Sequence, residues 1–224
     1  MHLDFHYRGI EELITLLKNN LNRIPDDVDL VVGIPRSGLF LANLIALHLH
    51  KPLSDVENFL NGSSLGNGKR MLPQNAEIKK VLVVDDSLWG GTQLSETRKK
   101  IANEKSDIEV VYLVAYIRPD NTNLVDIYLE ALESPRVFEW NILNSWIYSI
   151  SCADLDGILC YDPSEEENDD GPKYKQFIQE VKPKFIPHST INTIVTTRLE
   201  KYRKETEEWL HNQNINFQKL EMLD

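Results

Sequence analysis

The chain has 224 residues, of which 42% are hydrophobic, and a formal net charge of -11 at pH 7. This composition is normal for a globular protein with a buried core, and the charge argues against a nonspecific nucleic-acid binder and against docking on an anionic membrane. No apolar run approaches the ~20 residues that span a bilayer, and the N-terminal residues lack the pattern of a signal peptide. The two cysteines, Cys152 and Cys160, are expected to be reduced thiols in a cytoplasmic protein.

Strand and helix patterns alternate through the first half of the chain. Apolar residues recur at helical spacing from Ile10 to Leu21, and Val81 to Val84 form the clearest buried strand. Such alternation predicts an α/β fold, with helices on both faces of a parallel sheet, in a first domain over residues 1–140. The predicted elements are a helix over 9–21, a strand over 30–33, a helix over 39–50, a weak strand over 52–56, a strand over 81–84, a helix from 90 to about 103, and strands over 108–117 and 125–132.

The composition changes near residue 135, where aromatic residues become frequent. A strand over 147–153 is predicted to end in an acidic turn, a strand over 191–195 to end in Thr196, and a helix to cover 200–211. We therefore expect a second, smaller α/β unit over residues 145–224.

The segment at residues 81–94 reads VLVVDDSLWGGTQL. The strand is expected to end before Asp85 and Asp86, and adjacent carboxylates suit the two neighbouring hydroxyls of a ribose. The N–H groups from Ser87 to Thr92, together with the helix dipole, can cradle a phosphate. This pattern predicts a site for a sugar with vicinal hydroxyls and a 5'-phosphate. The alternative is an ordinary strand-to-helix turn with two surface acids.

Two further segments favour a phosphate site. Residues 33–38 read GIPRSG after the first core strand, and Arg36 offers a fork of donors for phosphate oxygens. The loop over 61–75 carries Lys69 and Arg70, cations that can neutralise a phosphate group. The alternatives are a simple turn with a surface arginine and an exposed loop with scattered basic residues.

Residues 81–94 resemble the phosphoribosyl-pyrophosphate motif of type I phosphoribosyltransferases, and GIPRSG resembles the pyrophosphate loop of that family. The resemblance implies the parallel-sheet phosphoribosyltransferase fold, with Mg²⁺ as cofactor. It also implies a reaction in which a nitrogen base displaces pyrophosphate from phosphoribosyl pyrophosphate (PRPP). Asp85 and Asp86 would hold the ribose hydroxyls, and Lys69 and Arg70 would assist departure of pyrophosphate. The residues implied to bind PRPP are Pro35, Arg36, Ser37, Gly38, Asp85, Asp86, Ser87, Leu88, Trp89, Gly90, Gly91 and Thr92.

The resemblance also bears on the acceptor and the assembly. Purine-salvage members carry an aspartate in the loop where Trp89 or a neighbour stands here, so the sequence favours an orotate-like acceptor. The family often has a cis peptide in its pyrophosphate loop, which makes Pro35–Arg36 the candidate. Its members are commonly homodimers.

The second half resembles the start of a haloacid-dehalogenase-type phosphatase. In DLDG, Asp154 would be the nucleophile and Asp156 the general acid/base, and both would help to hold Mg²⁺. Thr196 resembles the phosphate-contacting residue of that family's second motif. The later lysine and acidic pair of the family have no counterpart in the sequence, so the resemblance implies a partial unit.

Two other functions are open at this point. The chain can be a PRPP-binding regulatory protein without turnover, or a Mg²⁺-dependent phosphatase whose first half is a scaffold. The loop with Lys69 and Arg70 favours the transferase over the regulatory protein, and the missing later motifs argue against the phosphatase.

Overall fold

The computed structural model describes residues 5–63, 65 and 77–224. Contacts between Cα atoms divide the chain into two compact units, Met1–Trp140 and Asn141–Asp224. Each unit has a hydrophobic core of its own. No helix within the described residues is both long enough and apolar enough to cross a membrane.

The first unit is built on a five-stranded parallel sheet. The seven strands of the first unit are β1 at His6–Arg8, β2 at Leu30–Gly33, β3 at Leu53–Asp55, β4 at Lys80–Leu88, β5 at Glu109–Ile117, β6 at Ile127–Ala131 and β7 at Arg136–Phe138. The main sheet has the order β3-β2-β4-β5-β6. Its central strands are nearly continuous apolar runs, because a parallel sheet in an α/β protein is covered on both faces. The predicted α/β class is confirmed.

Helices cover both faces of this sheet. They are α1 at Ile10–Asn19, α2 at Gly38–Leu49, α3 at Val56–Leu60 and α4 at Thr92–Glu104. Leu13 of α1 and Leu41 of α2 belong to one buried cluster, and Phe59 of α3 and Ile101 of α4 belong to another. Each fully buried side chain of this kind contributes about 1.5–3 kcal/mol to folding. The predicted helices over 9–21, 39–50 and 90–103 are confirmed, with small shifts at their ends.

Strand β4 is longer than the sequence predicts. It continues past Val84 to Leu88, and in the ladder with β5 Asp85 pairs with Val114 and Ser87 with Tyr116. The expectation that the two acids leave the strand is therefore wrong. The strand continues because β5 is itself nine residues long and provides backbone partners up to Ile117.

Strands β1 and β7 form a separate two-stranded parallel pair that the sequence analysis missed. His6 pairs with Arg136 and Arg8 with Phe138. The Phe138 ring lies 5.1 Å from that of Tyr116 and 5.0 Å from that of Trp140, measured between centroids. These contacts bring the Trp140 ring to 6.3 Å from the Tyr116 ring of β5, measured between centroids.

The second unit contains a three-stranded parallel sheet in the order β10-β9-β8. Trp209 and Leu210 of its last helix pack in its core, and Ile194 packs there from the central strand. Its elements are β8 at Cys152–Asp154, α5 at Pro172–Glu180, β9 at Ile191–Leu199, α6 at Arg203–Asn212 and β10 at Phe217–Leu223.

One predicted element of this unit is wrong. The segment expected as a strand over 147–153 is a 3₁₀ helix at Trp146–Ile150, followed by the short strand β8. Ser149 Oγ donates to the Trp146 carbonyl at 2.7 Å, and Ser151 Oγ donates to the Ile147 carbonyl at 2.7 Å. Such local bonds compete with strand pairing.

Candidate functional site

The two motifs meet at the carboxyl edge of the main sheet. Val84 of β4 pairs with Gly33 of β2, and the N–H of Ile34 donates to the Val84 carbonyl at 2.8 Å. Loops that follow adjacent parallel strands emerge at the same edge, where α/β proteins bind their ligands. The GIPRSG loop and the two acids are therefore neighbours in space.

Asp86 is the carboxylate that joins these motifs. It is only 3% exposed. Its Oδ1 accepts a hydrogen bond from Ser37 Oγ at 2.7 Å, and its Oδ2 accepts one from Trp140 Nε1 at 2.7 Å. Bonds to a charged acceptor are stronger than neutral ones, so this carboxylate has a fixed position. Trp140 was missed by the sequence analysis, and its only signal was the aromatic cluster after residue 135.

Asp85 occupies a different environment from its neighbour. Its Oδ1 accepts a hydrogen bond from the backbone N–H of Asp86 at 2.9 Å. Burial, and then the negative charge of Asp86, raise the pKa of Asp85 from 3.8 to about 8. Two adjacent carboxylates of this kind favour any ligand that brings positive charge or hydroxyl donors.

The start of α2 approaches the acids closely. A Cβ atom on Gly38 would lie 2.8 Å from the Val84 carbonyl oxygen and 2.9 Å from Asp85 Oδ1. Only glycine permits this approach. On the other side of the loop, Gln93 Nε2 donates to the Pro35 carbonyl at 3.0 Å. The GIPRSG loop is thus tied to both β4 and α4.

The turn after β4 is shorter than expected. Ser87 and Leu88 still belong to the strand, so the turn begins at Trp89 and ends at Gly91. Gly91 has φ 77° and precedes the first residue of α4, Thr92. A Cβ on Gly90 would meet nothing within 4 Å, so open space lies beside this turn. The helix N-terminus and the turn N–H groups suit a phosphate.

The sequence analysis also missed two arginines beside this turn. Arg136 of β7 is 8% exposed, and its Nη2 donates to the Leu88 carbonyl. The guanidinium carbons of Arg136 and Arg118 lie 5.7 Å and 6.0 Å from the centroid of the Trp89 ring. Burial, and then the positive charge of Arg118, lower the pKa of Arg136 to about 10. These two cations lie outside both recognised motifs.

The remaining predicted residues of this site divide into two groups. Arg36 is exposed, and the Pro35–Arg36 peptide is cis, as the resemblance implied. Lys69 and Arg70 lie outside the described residues.

Comparison with known families decides the identity of the first unit. Residues 6–142, more than half of the chain, match the model of the phosphoribosyl transferase domain family. The chain belongs to this family. The phosphoribosyltransferase domain therefore includes β1 at one end and Trp140 at the other.

Solved structures similar to the phosphoribosyltransferase domain include three named transferases. The xanthine-guanine-hypoxanthine phosphoribosyltransferase of Helicobacter pylori is 17% identical, with a TM-score of 0.46, over 63% of this chain and 95% of the other. The purine phosphoribosyltransferase of Pyrococcus horikoshii Ot3 is 19% identical, with a TM-score of 0.46, over 62% and 94%. The orotate phosphoribosyltransferase of Aeropyrum pernix is 20% identical, with a TM-score of 0.39, over 59% and 72%. No curated protein matches the chain.

The family match ends at the start of the second unit, and nothing in the comparisons identifies that unit as haloacid-dehalogenase-like. There Asp154 is exposed at the end of β8. Asp156 forms an ion pair with the fully buried Arg198, at 2.6 Å between Oδ1 and Nη2. Its Oδ2 accepts a hydrogen bond from Thr196 Oγ1 at 3.1 Å. Asp156 and Thr196 thus bind each other, and Arg198 was missed by the sequence analysis.

Proposed function

We propose that the phosphoribosyltransferase domain transfers ribose 5-phosphate from PRPP to a ring nitrogen of a base-like acceptor, with release of pyrophosphate. The observation that carries this proposal is the Ser37–Asp86 hydrogen bond of 2.7 Å, which joins the loop proposed for pyrophosphate to the acids proposed for ribose. The finer assignment to an orotate-like acceptor is supported by Trp89, since no acid stands at that place in the turn.

The proposed reaction needs positioning and charge compensation more than covalent chemistry. The lone pair of the acceptor nitrogen forms the C1–N bond. The bond from C1 to the pyrophosphate oxygen breaks, pyrophosphate leaves with the electron pair, and the nitrogen loses its proton to solvent. Asp85 and Asp86 orient the ribose hydroxyls and offset the positive charge that develops on the sugar ring. Arg36 and the turn at Trp89–Thr92 bind the two phosphate ends.

The carboxylate pair fits Mg²⁺, which the family commonly uses. Burial, and then the negative charge of Asp86, raise the pKa of Asp85, and a cation beside the pair would offset both effects. No cluster of three or more His, Cys, Asp or Glu side chains able to hold a metal occurs among the described residues. Asp85 and Asp86 would therefore hold the ion together with substrate oxygens and water, as is usual for Mg²⁺ at phosphate substrates. When bound, the ion neutralises charge on pyrophosphate as it departs.

Calorimetric titration with PRPP and Mg²⁺ tests the proposal. The double variant Asp85→Asn/Asp86→Asn is expected to lose PRPP binding, and the control Asp107→Asn, an exposed carboxylate, is expected to keep it. Because Asp86 is buried, the exposed Arg36→Gln provides a variant that leaves the core intact, and we expect it to weaken binding at least tenfold. Unchanged binding in both the double variant and Arg36→Gln refutes the proposal.

Turnover separates the transferase from a PRPP-binding regulator. Pyrophosphate release that depends on an added nitrogen base favours the transferase. Tight PRPP binding without release of pyrophosphate in the presence of any base favours the regulator.

The homodimer and the domain limits of 1–140 and 145–224 stay predictions. The limits are supported by the division of contacts between Trp140 and Asn141.

We do not extend the proposal to a phosphatase activity of the second unit. The carboxyl that the resemblance made the general acid/base, Asp156, is held in an ion pair by the buried guanidinium of Arg198. The Thr196 hydroxyl, the predicted phosphate contact, donates to the same carboxyl.

A further inference from the structure

The last strand of the second unit leaves one edge of its sheet open. In the order β10-β9-β8, β10 bonds to β9 on one side, and within the described residues no strand pairs with its other side. The strand has seven residues, Phe217–Leu223, which is longer than many complete strands. An open edge of this length offers a row of backbone donors and acceptors to another strand.

The backbone of Leu220 faces this open edge. In β9, Thr193 and Val195 bond towards β8, so Ile194 between them bonds towards β10. Ile194 lies opposite Leu220, and in a parallel ladder a residue bonds to the two neighbours of the residue that it faces, so the N–H and C=O of Leu220 point away from β9. The Leu220 carbonyl accordingly accepts a hydrogen bond from Arg203 Nη2 at 3.2 Å. A carbonyl oxygen has two lone pairs, so this one can accept a second bond.

The sequence of β10 is complementary to itself when a second copy of the strand runs antiparallel. The strand reads FQKLEML, and its central residue is Leu220. About this centre Lys219 lies opposite Glu221 of the second copy, and Phe217 lies opposite Leu223 of the second copy. Side chains that are opposite in an antiparallel pair interact directly, and opposite charges stabilise the pairing. Symmetry repeats each contact, so both ends of the interface are alike.

Neighbouring registers are unfavourable for the same residues. A two-fold axis normal to the sheet keeps the side chains of each face on their own side, so the pairing can centre on any one residue of β10. A centre at Lys219 places this lysine against its own copy, and a centre at Glu221 does the same with the glutamate. Like charges that are directly opposite destabilise a strand pair. The two charges therefore select the register that is centred on Leu220.

The side chains on this face of β10 are available for such a contact. Leu223 is 51% exposed and Phe217 is partly exposed, although both are apolar. Lys219 and Glu221 are exposed and form an ion pair with each other within the strand. Exposed ion pairs contribute little to stability, so the exchange of this pair for pairs between two copies costs little. A run of like charges would keep two edges apart, whereas a lysine and a glutamate in these positions attract.

We infer that two copies of the protein associate through β10, which pairs antiparallel with itself about Leu220 and joins two three-stranded sheets into one. The partner is thus a second copy of this chain. The interface lies in the second unit, outside the phosphoribosyltransferase domain, so it is separate from the homodimer that the family resemblance implies. It does not depend on the proposed transferase function.

Reversal of one charge at a time tests the interface in the full chain. Lys219→Glu places a glutamate opposite Glu221 of the second copy, and Glu221→Lys places a lysine opposite Lys219. Each variant alone is expected to associate at least tenfold more weakly than wild type, seen as a lower average mass in sedimentation equilibrium. The matched control is Lys204→Glu, which reverses an exposed charge on α6 and breaks its ion pair with Glu208. This control should associate as wild type does.

An equimolar mixture of the two variants separates the contact between copies from the ion pair within one strand. In a mixed pair every glutamate of one strand lies opposite a lysine of the other, although the ion pair within each strand is lost. Association of the mixture is expected to return to within threefold of wild type, and native mass spectrometry should show one copy of each variant in the complex. Both positions are exposed, so each variant should keep the circular dichroism spectrum of wild type.

Three outcomes would overturn the inference. They are a wild-type protein that stays monomeric at every concentration, association that neither Lys219→Glu nor Glu221→Lys weakens, and a mixture that associates no better than its components. The second outcome would assign the association to another surface. PRPP binding should be the same in all of these variants, so failure of the transferase proposal and failure of this one are distinguishable.

Discussion

Asp85 is expected to lower the stability of the unliganded protein at neutral pH, so replacing it by Asn should be stabilising. Its pKa is raised from 3.8 to about 8, which means that the folded state binds a proton more tightly than the unfolded chain does. The stabilising contribution of that proton is complete below about pH 4 and disappears as the pH rises through 8. At pH 7 the unfolded carboxyl is about three pH units above its pKa and is ionised, whereas the folded carboxyl is still mostly protonated. This difference sets an upper bound of about 4 kcal/mol on the loss of stability. Relaxation and water near the pair correspond to an effective dielectric constant of about 20, so we expect about 1–2 kcal/mol.

Urea unfolding of wild type and Asp85→Asn from pH 4 to pH 9, in chelator and without PRPP, measures this effect. The variant should gain stability relative to wild type as the pH increases, and the two should converge near pH 4. Asn keeps an oxygen that can accept the Asp86 N–H, so the local hydrogen bond is retained. The exposed Asp107→Asn serves as control and should show a flat difference across the range. An Asp85→Asn variant that is no more stable than wild type at pH 8 would refute the reasoning.

Three further predictions concern packing and charge. Gly38→Ala places a Cβ 2.8 Å from the Val84 carbonyl oxygen and should cost about 1–3 kcal/mol in urea unfolding, with weaker PRPP binding; unchanged stability would contradict the close approach. Arg198→Gln leaves Asp156 without its buried partner and should cost about 3–5 kcal/mol by the same measurement, whereas replacing both residues by apolar side chains should recover much of the loss. Trp209→Ala removes a side chain that is 2% exposed and should cost about 3–5 kcal/mol, seen as a lower Tm of the second unit.

The sequence could predict the features that depend on local pattern. Apolar runs and helical spacing located β2, β4, α1 and α2, and the residue types of GIPRSG and of the acid pair pointed to a common site for a phosphorylated sugar. The exact end of β4 could not be predicted, because it depends on how far β5 offers backbone partners. The side chains of Ser149 and Ser151 bond to nearby carbonyls and favour a 3₁₀ helix at Trp146–Ile150 over the first part of the expected strand, which a pattern of apolar residues does not show.

The missed site residues share a different cause. Trp140 contacts Asp86 across 54 positions of sequence, and Arg136 contacts Leu88 across 48. Both belong to a short segment around β7, whose three residues are too few to show any periodicity. Their contribution depends on long-range pairing, which a single sequence does not encode in a recognisable motif.

The pairing of β1 with β7 has a consequence for the order in which the domain assembles. His6 and Arg136 are 130 positions apart, so β1 emerges from the ribosome long before its partner exists. Contacts between residues so distant in sequence close large loops and tend to form late in folding. The main sheet can therefore gather the two acids first, while Asp86 still lacks the indole of Trp140 and Leu88 lacks Arg136. A nascent chain that ends before residue 136 should have the turn after β4 but not yet the two long-range hydrogen bonds that hold Asp86 and Leu88 in place.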